Sequence, residues 1–185
     1  MSHTRRAILV GAGPAFVSAA APTAALSAPQ TRPATSADPE VDALAARAEQ
    51  AHAALMVGDI GRYRALIRLS DDFVLMAPFG GPSSQSARLS EERWASIGRF
   101  FRNGRDSTLE LVQAYRAADM VVLAVIERTH VEVGGLKGQD WALRVTLVFR
   151  KEKDDWRLVH RHADPLVESI TVEQAAALAR PRPVS

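Results

Sequence analysis

The sequence predicts an α+β fold, with helices packed on one face of a curved antiparallel sheet. Apolar residues recur at helical spacing between Asp38 and Phe101, and from Ser107 onward the period changes to two. The later segments are joined by short turns, Ala117-Ala118-Asp119, Gly134-Gly-Leu-Lys-Gly138 and Glu152-Lys-Asp-Asp155, which only antiparallel neighbours can use. Helices first and a meander afterwards is the order of an α+β domain. At 185 residues the chain is one domain plus extras, large enough for a single core without staples.

The first 27 residues read as an address label. Thr4-Arg5-Arg6-Ala7-Ile8-Leu9 followed by a moderately apolar, small-residue run resembles a twin-arginine export signal, which implies a periplasmic or secreted protein. Cleavage is expected after Ser27, with Ala25 third from the end, because cutting after Ala28 would leave Pro29 first. The alternative is a disordered cytoplasmic extension. Pro14 and Pro22 make the run too short and weak to span a membrane. Gly11-Ala-Gly13-Pro-Ala-Phe16 superficially matches a dinucleotide-binding turn, but Phe16 replaces the third glycine and no acid follows before Asp38. Residues 28–37, with Pro29 and Pro33, form a flexible linker.

Charge and cysteine content narrow the partners. The formal charge of +2 and the isoelectric point near 9.4 include Arg5 and Arg6 of the leader. Without them the chain carries no formal net charge, and its basic residues are interspersed with acids. That pattern speaks against nucleic acid or a membrane as partner. The absence of cysteine removes disulfides, thiolate metal sites and a lipoprotein anchor.

Order begins at Asp38, an N-cap before Pro39 in the first helical position. Val41, Leu44, Ala45, Ala48, Leu55 and Met56 share one face, and Gly58 stops the helix. His52 lies close to that stripe and reads as a satisfied, partly buried histidine rather than a ligand. A shorter helix from Asp59 carries Ile60, Tyr63, Leu66 and Ile67. Phe73–Ala77 is a short strand, followed by a polar loop through Arg88. Ser90 caps a helix with Trp94, Ile97 and Phe101 on its buried face, ended by Asn103-Gly104. The strands are Ser107–Arg116, Met120–Val133, Trp141–Lys151 and Trp156–Ala163. Met120–Ile126 is apolar at both parities, which predicts a central strand covered on both sides. Thr171-Val-Glu-Gln174 is a capping-box signature opening a short helix, so residues 169–185 are a C-terminal helix and tail.

Polar residues interrupt the apolar strands at Glu127, Thr129, Arg144, Thr146, His160 and His162. A charge on a central strand must be paired, solvated or at a strand end. One reading pairs Glu127 with Arg144 or Arg128. The other has these side chains line a cavity against Met76, Trp94 and Phe101. Alternation places Trp156, Leu158, His160, His162 and Asp164 on one strand face. His160-x-His162-x-Asp164 also has a metal-ligand look, yet Pro165 stands where a further histidine is needed, and the mature chain offers only His52 and His130 besides. No metal is expected, and Asp164 orients or charges a histidine instead. Nothing matches a Gly-x-Ser-x-Gly elbow or a phosphate loop, so no cofactor is expected.

Leu143-Arg-Val-Thr-Leu-Val-Phe-Arg150 and Trp156-Arg-Leu-Val-His-Arg-His-Ala-Asp-Pro-Leu166 resemble the SnoaL-like, ketosteroid-isomerase-like branch of the nuclear transport factor 2-like superfamily, over residues 38–168. The resemblance implies a cone-shaped, cystatin-like barrel in which a bent antiparallel sheet wraps the N-terminal helices around an open-ended cavity. It also implies a homodimer through the outer sheet face. Members include isomerases, polyketide cyclases, dehydratases and many proteins with no known reaction. A ketosteroid-isomerase site needs a carboxylate base, a tyrosine and a neutral acid. Here only Tyr63 and Tyr115 are available, with Asp71 or Asp72 as conceivable bases, and no motif secures that set.

Two readings follow. In the first, an exported protein holds a small apolar molecule in its cone, with Glu127 as base and His160 or His162 as acid or oxyanion donor. Arg144 then anchors substrate charge, and Tyr63, Met76, Trp94, Thr146 and Asp164 line the pocket. In the second, the same residues form a structural network in a non-catalytic ligand-binding or dimeric assembly module. An open cavity with several of these groups converging marks the first, and a filled cone the second.

Overall fold

The structure, a computed structural model, describes residues 38–85 and 89–180. The expected leader and linker, the last part of the polar loop, and the final residues of the tail lie outside the described residues. The elements are α1 (Pro39–Met56), α2 (Ile60–Leu66), β1 (Leu69–Met76), α3 (Glu91–Phe100), β2 (Phe101–Arg116), β3 (Met120–Val133), β4 (Gln139–Glu152), β5 (Asp155–Pro165) and α4 (Val172–Ala179). Each helix opens on the cap its sequence offers. The Asp38 carboxylate accepts from the amides of Glu40 and Val41, Asp59 from Arg62, Ser90 from Arg93, and Thr171 with Gln174 completes a capping box.

The sheet has five strands in the order β1-β5-β4-β3-β2. Strands β2 to β5 form the expected antiparallel meander, whereas β1 runs parallel to β5. The meander occupies the sheet in sequence order, so the earlier strand β1 takes the edge beside the last one. Leu75 of β1 exchanges backbone hydrogen bonds with Ser84, which folds the following loop along that edge.

The Asn103-Gly104 pair does not end α3. The helix stops at Phe100, and Phe101 already belongs to β2. Asn103 and Asp106 hold positive φ of 54° and 55°, at register shifts between Arg102 and Thr108. A left-handed residue serves a β-bulge as well as a helix end, and here it bends a strand. Gly104 follows because a Cβ there would lie 2.6 Å from Met56.

Val41, Leu44, Ala48 and Ala51 of α1 pack onto Val121, Leu123, Val125, Val145, Leu147 and Phe149 of the inner sheet face. The N-terminal end of α1 is tied to the sheet by charge. Trp156 Nε1 donates to Glu40 at 2.6 Å, and Lys151 and Arg116 also reach that carboxylate. The indole hydrogen bond leads in holding the Glu40 carboxyl well below the usual carboxylate range. Strand β3 is central but not covered on both sides. Val122, Ala124 and Ile126 remain half-buried on the outer face, because α1 packs on the inner one.

The alternation of β5 is broken once. Leu158 pairs with Phe149, but His160 pairs with Val148, so Val159 is a bulged residue. Trp156 and Leu158 therefore face the core before the bulge, and Arg161 and Ala163 after it.

Candidate functional site

The bulge redistributes the predicted site. His160, His162 and Asp164 sit opposite Val148, Thr146 and Arg144 on the outer face, while Glu127 of β3 points into the cone among Val125, Leu143 and Leu147. The expected Glu127–His160 or Glu127–His162 acid/base pair is therefore not formed, because the sheet separates its members.

Inside the cone Glu127 is only 4% exposed and meets a cation that alternation had placed outside. Arg161 Nη2 donates to Glu127 Oε2 at 2.5 Å, and the arginine side chain retains 15% exposure. The ion-pair expectation for Glu127 was right in kind and wrong in partner. Arg128 instead donates to Glu110, and Arg144 to Asp164, both on the outer face.

His52, on the stripe of α1, completes the cluster. It is 4% exposed, and its Nδ1 lies 3.3 Å from Glu127 Oε2 without the alignment of a hydrogen bond. Neither ring nitrogen makes a well-aligned hydrogen bond, and the contacts of the imidazole are the Glu127 carboxylate and the Arg128 backbone. Burial pushes its pKa down, opposed by the neighbouring Glu127 carboxylate, so the imidazole is held neutral. Tyr63 of α2 closes the same space, and burial raises its phenol pKa.

These four side chains border a cavity of about 20 Å³, walled otherwise by Ala48, Ala51, Leu55, Ile67, Leu147, Phe149 and Leu158. That is room for one water molecule with several polar partners. The cone is thus nearly filled, with a polar centre in an apolar lining. Trp94 does not reach the cavity but backs Tyr63, ring centroids 6.0 Å apart, with the Arg64 guanidinium over its face. Met76 is 43% exposed opposite His162 and lines no part of the cone.

A second, shallower depression of about 230 Å³ lies on the outer face. It gathers Arg144, Thr146, His162 and Asp164 around Val112, Ala124 and Ile126. Asp164 accepts from Arg144 Nε at 2.7 Å, so its partner is the arginine rather than a histidine. His160 Nδ1 donates to the Val74 carbonyl at 3.1 Å, tying β5 to β1. Among the described residues no three His, Asp or Glu side chains gather as a metal-ligand set, and no helix is long and apolar enough to cross a membrane.

The family model of the SnoaL-like domain matches residues 44–168. The chain belongs to the SnoaL-like family. Solved structures of the same fold include a nuclear transport factor 2-like protein from Cytophaga hutchinsonii, 16% identical, covering 69% of this chain and 98% of that one with a TM-score of 0.55. A protein from Streptomyces avermitilis, provisionally named a dehydratase of that family, is 18% identical over 69% of this chain and 97% of its own, TM-score 0.55. A provisionally named calcium/calmodulin-dependent protein kinase II association domain from Xanthomonas campestris is 20% identical over 74% and 94%, TM-score 0.54. At these identities the likeness concerns the fold. No curated protein matches the chain.

Removing one member of the buried pair strands the other charge, which costs about 3 kcal/mol. Glu127→Gln should therefore unfold at clearly lower urea than the wild type, whereas Glu127→Leu combined with Arg161→Met should recover most of the loss. Equal or additive losses in single and double variants would show that the two charges do not depend on each other.

Proposed function

We propose that this SnoaL-like domain binds a small, largely apolar molecule in its cone, and that His52 and Glu127 form the acid/base pair acting on it. The supporting observation is the imidazole of His52, buried without a well-aligned hydrogen bond beside the Glu127–Arg161 pair on the wall of the cavity. Burying three polar groups at the centre of an apolar lining costs stability, and such groups cluster where chemistry is done. A carboxylate 3.3 Å from a neutral imidazole suits proton abstraction and return on a carbonyl compound, the chemistry of isomerases, cyclases and dehydratases. The small cavity taken alone favours a structural network, and the convergence of three polar groups on it favours a site; a ligand larger than water therefore enters only if a wall residue such as Tyr63 or Leu55 turns aside. Tyr63 sits on α2, a seven-residue helix with no buried residue of its own, which makes it the mobile wall.

A second reading, dimeric assembly, is favoured by the outer sheet face. Val112 and Tyr115 are 55% and 62% exposed there, next to half-buried Val122, Ala124 and Ile126. An apolar sheet face of this kind suits a self-complementary two-fold contact. The reading of the leader as an export signal places either activity outside the cytoplasm.

Deuterium exchange at the α-carbon of cyclohexanone, followed by proton NMR, should be catalysed by the mature chain and fall by roughly 10²-fold in Glu127→Gln. Exchange no faster than in buffer would remove the acid/base reading. Light scattering should give a dimer that Ile126→Glu converts to monomer, and a monomeric wild type at high concentration would end the assembly reading. Arg5→Lys with Arg6→Lys should retain the protein in the cytoplasm, and undiminished export would contradict the twin-arginine assignment.

A further inference from the structure

We propose that the ligand of the cone is a small carboxylate, held by Arg161 and taken up together with one proton on His52. The inference rests on the cone-binding reading above and specifies what that site accepts.

The guanidinium of Arg161 carries five N–H donors in a rigid fork. Among the described residues its one hydrogen bond runs from Nη2 to Glu127, and the side chain is not fully enclosed. The remaining donors match two carboxylate oxygens in parallel, so a carbonyl compound that also carries a carboxylate is held better than a neutral one. Charge balance then requires a proton. In the empty cone Arg161 and Glu127 cancel and His52 is neutral, so an added carboxylate would leave an uncompensated negative charge in a poorly solvated space.

His52 is the group able to supply compensation. It faces Glu127 from β3, Arg161 from β5, Glu49 on its own helix, Tyr63 from α2 and the backbone of Arg128. Glu49 is occupied by the Leu109 amide, and the phenol of Tyr63, its pKa raised, stays protonated. Arg161 already bears its charge. The imidazole, whose two nitrogens make no well-aligned hydrogen bond, is left to take the proton and donate it toward the incoming oxygen or Glu127. Burial keeps it neutral while the cone is empty, and a second anion beside it reverses that preference.

The sign follows from linkage. Binding that takes up one proton tightens as pH falls, by about tenfold per pH unit where His52 is neutral in the free protein. Butyrate and its neutral counterpart butyramide are the probes, titrated into the mature chain by calorimetry in phosphate and in Tris, whose ionisation heats differ. The expected result is butyrate binding with uptake of about one proton, tighter near pH 6 than near pH 8, lost in Arg161→Met and proton-independent in His52→Asn. The wild-type proton count needs no variant, so a misfolded His52→Asn does not weaken the test. Butyrate binding without proton uptake, or unchanged in a folded Arg161→Met, overturns the proposal. Butyramide binding as tightly as butyrate overturns the carboxylate while leaving the cone a ligand site. Binding of neither probe, with no NMR shift at Tyr63 or Leu55, removes both.

Discussion

One bulged residue decides which side chains of β5 face the inside of the sheet. With strict alternation along β5, His160 and His162 would continue the inward stripe begun by Trp156 and Leu158, and Arg161 would point to solvent. The displacement at Val159 exchanges the two sets. It delivers a guanidinium to a carboxylate that β3 has already buried, and it leaves the histidines to the outer face. Glu127 and the bulge depend on each other. A buried carboxylate on the inner face needs a cation there, and a cation reaches that face only because the strand slips by one position.

Much of the architecture was legible because its signals are local. Caps at Asp38, Asp59, Ser90 and Thr171 announce helices through side-chain chemistry confined to four residues. The turns between β2 and β5 likewise reveal an antiparallel order. The site was less legible, since facing depends on a register that the pairing partner sets. Arg161 lay hidden between two histidines in an apparently regular strand. His52 was visible on the α1 stripe, four residues after Ala48, but only the packed structure reveals that it makes no well-aligned hydrogen bond. Tyr63 was the one predicted lining residue to reach the cavity together with Glu127, whereas Arg144, Thr146, His162 and Asp164 met on the opposite side.

Helix α1 is fastened to the sheet by two unlike interactions. At its start, Glu40 gathers Trp156, Arg116 and Lys151 in contact with solvent. About one turn beyond the middle of its apolar stripe, His52 approaches Glu127 with almost no solvent. Salt screens the first set of contacts and scarcely touches the second. Packing against the sheet thus runs along the whole helix, and charge adds to it at the end distant from the cavity.

The two borders of the sheet have a consequence for how copies of the chain can meet. Ser84 occupies backbone groups of Leu75 along the outer border of β1, and bulges around Asn103 and Asp106 bend the other border, β2, away from a straight line. Neither side presents a long, flat ladder on which a further strand could be templated. Growth by lateral strand addition, the route to fibrils, is therefore hindered at both margins.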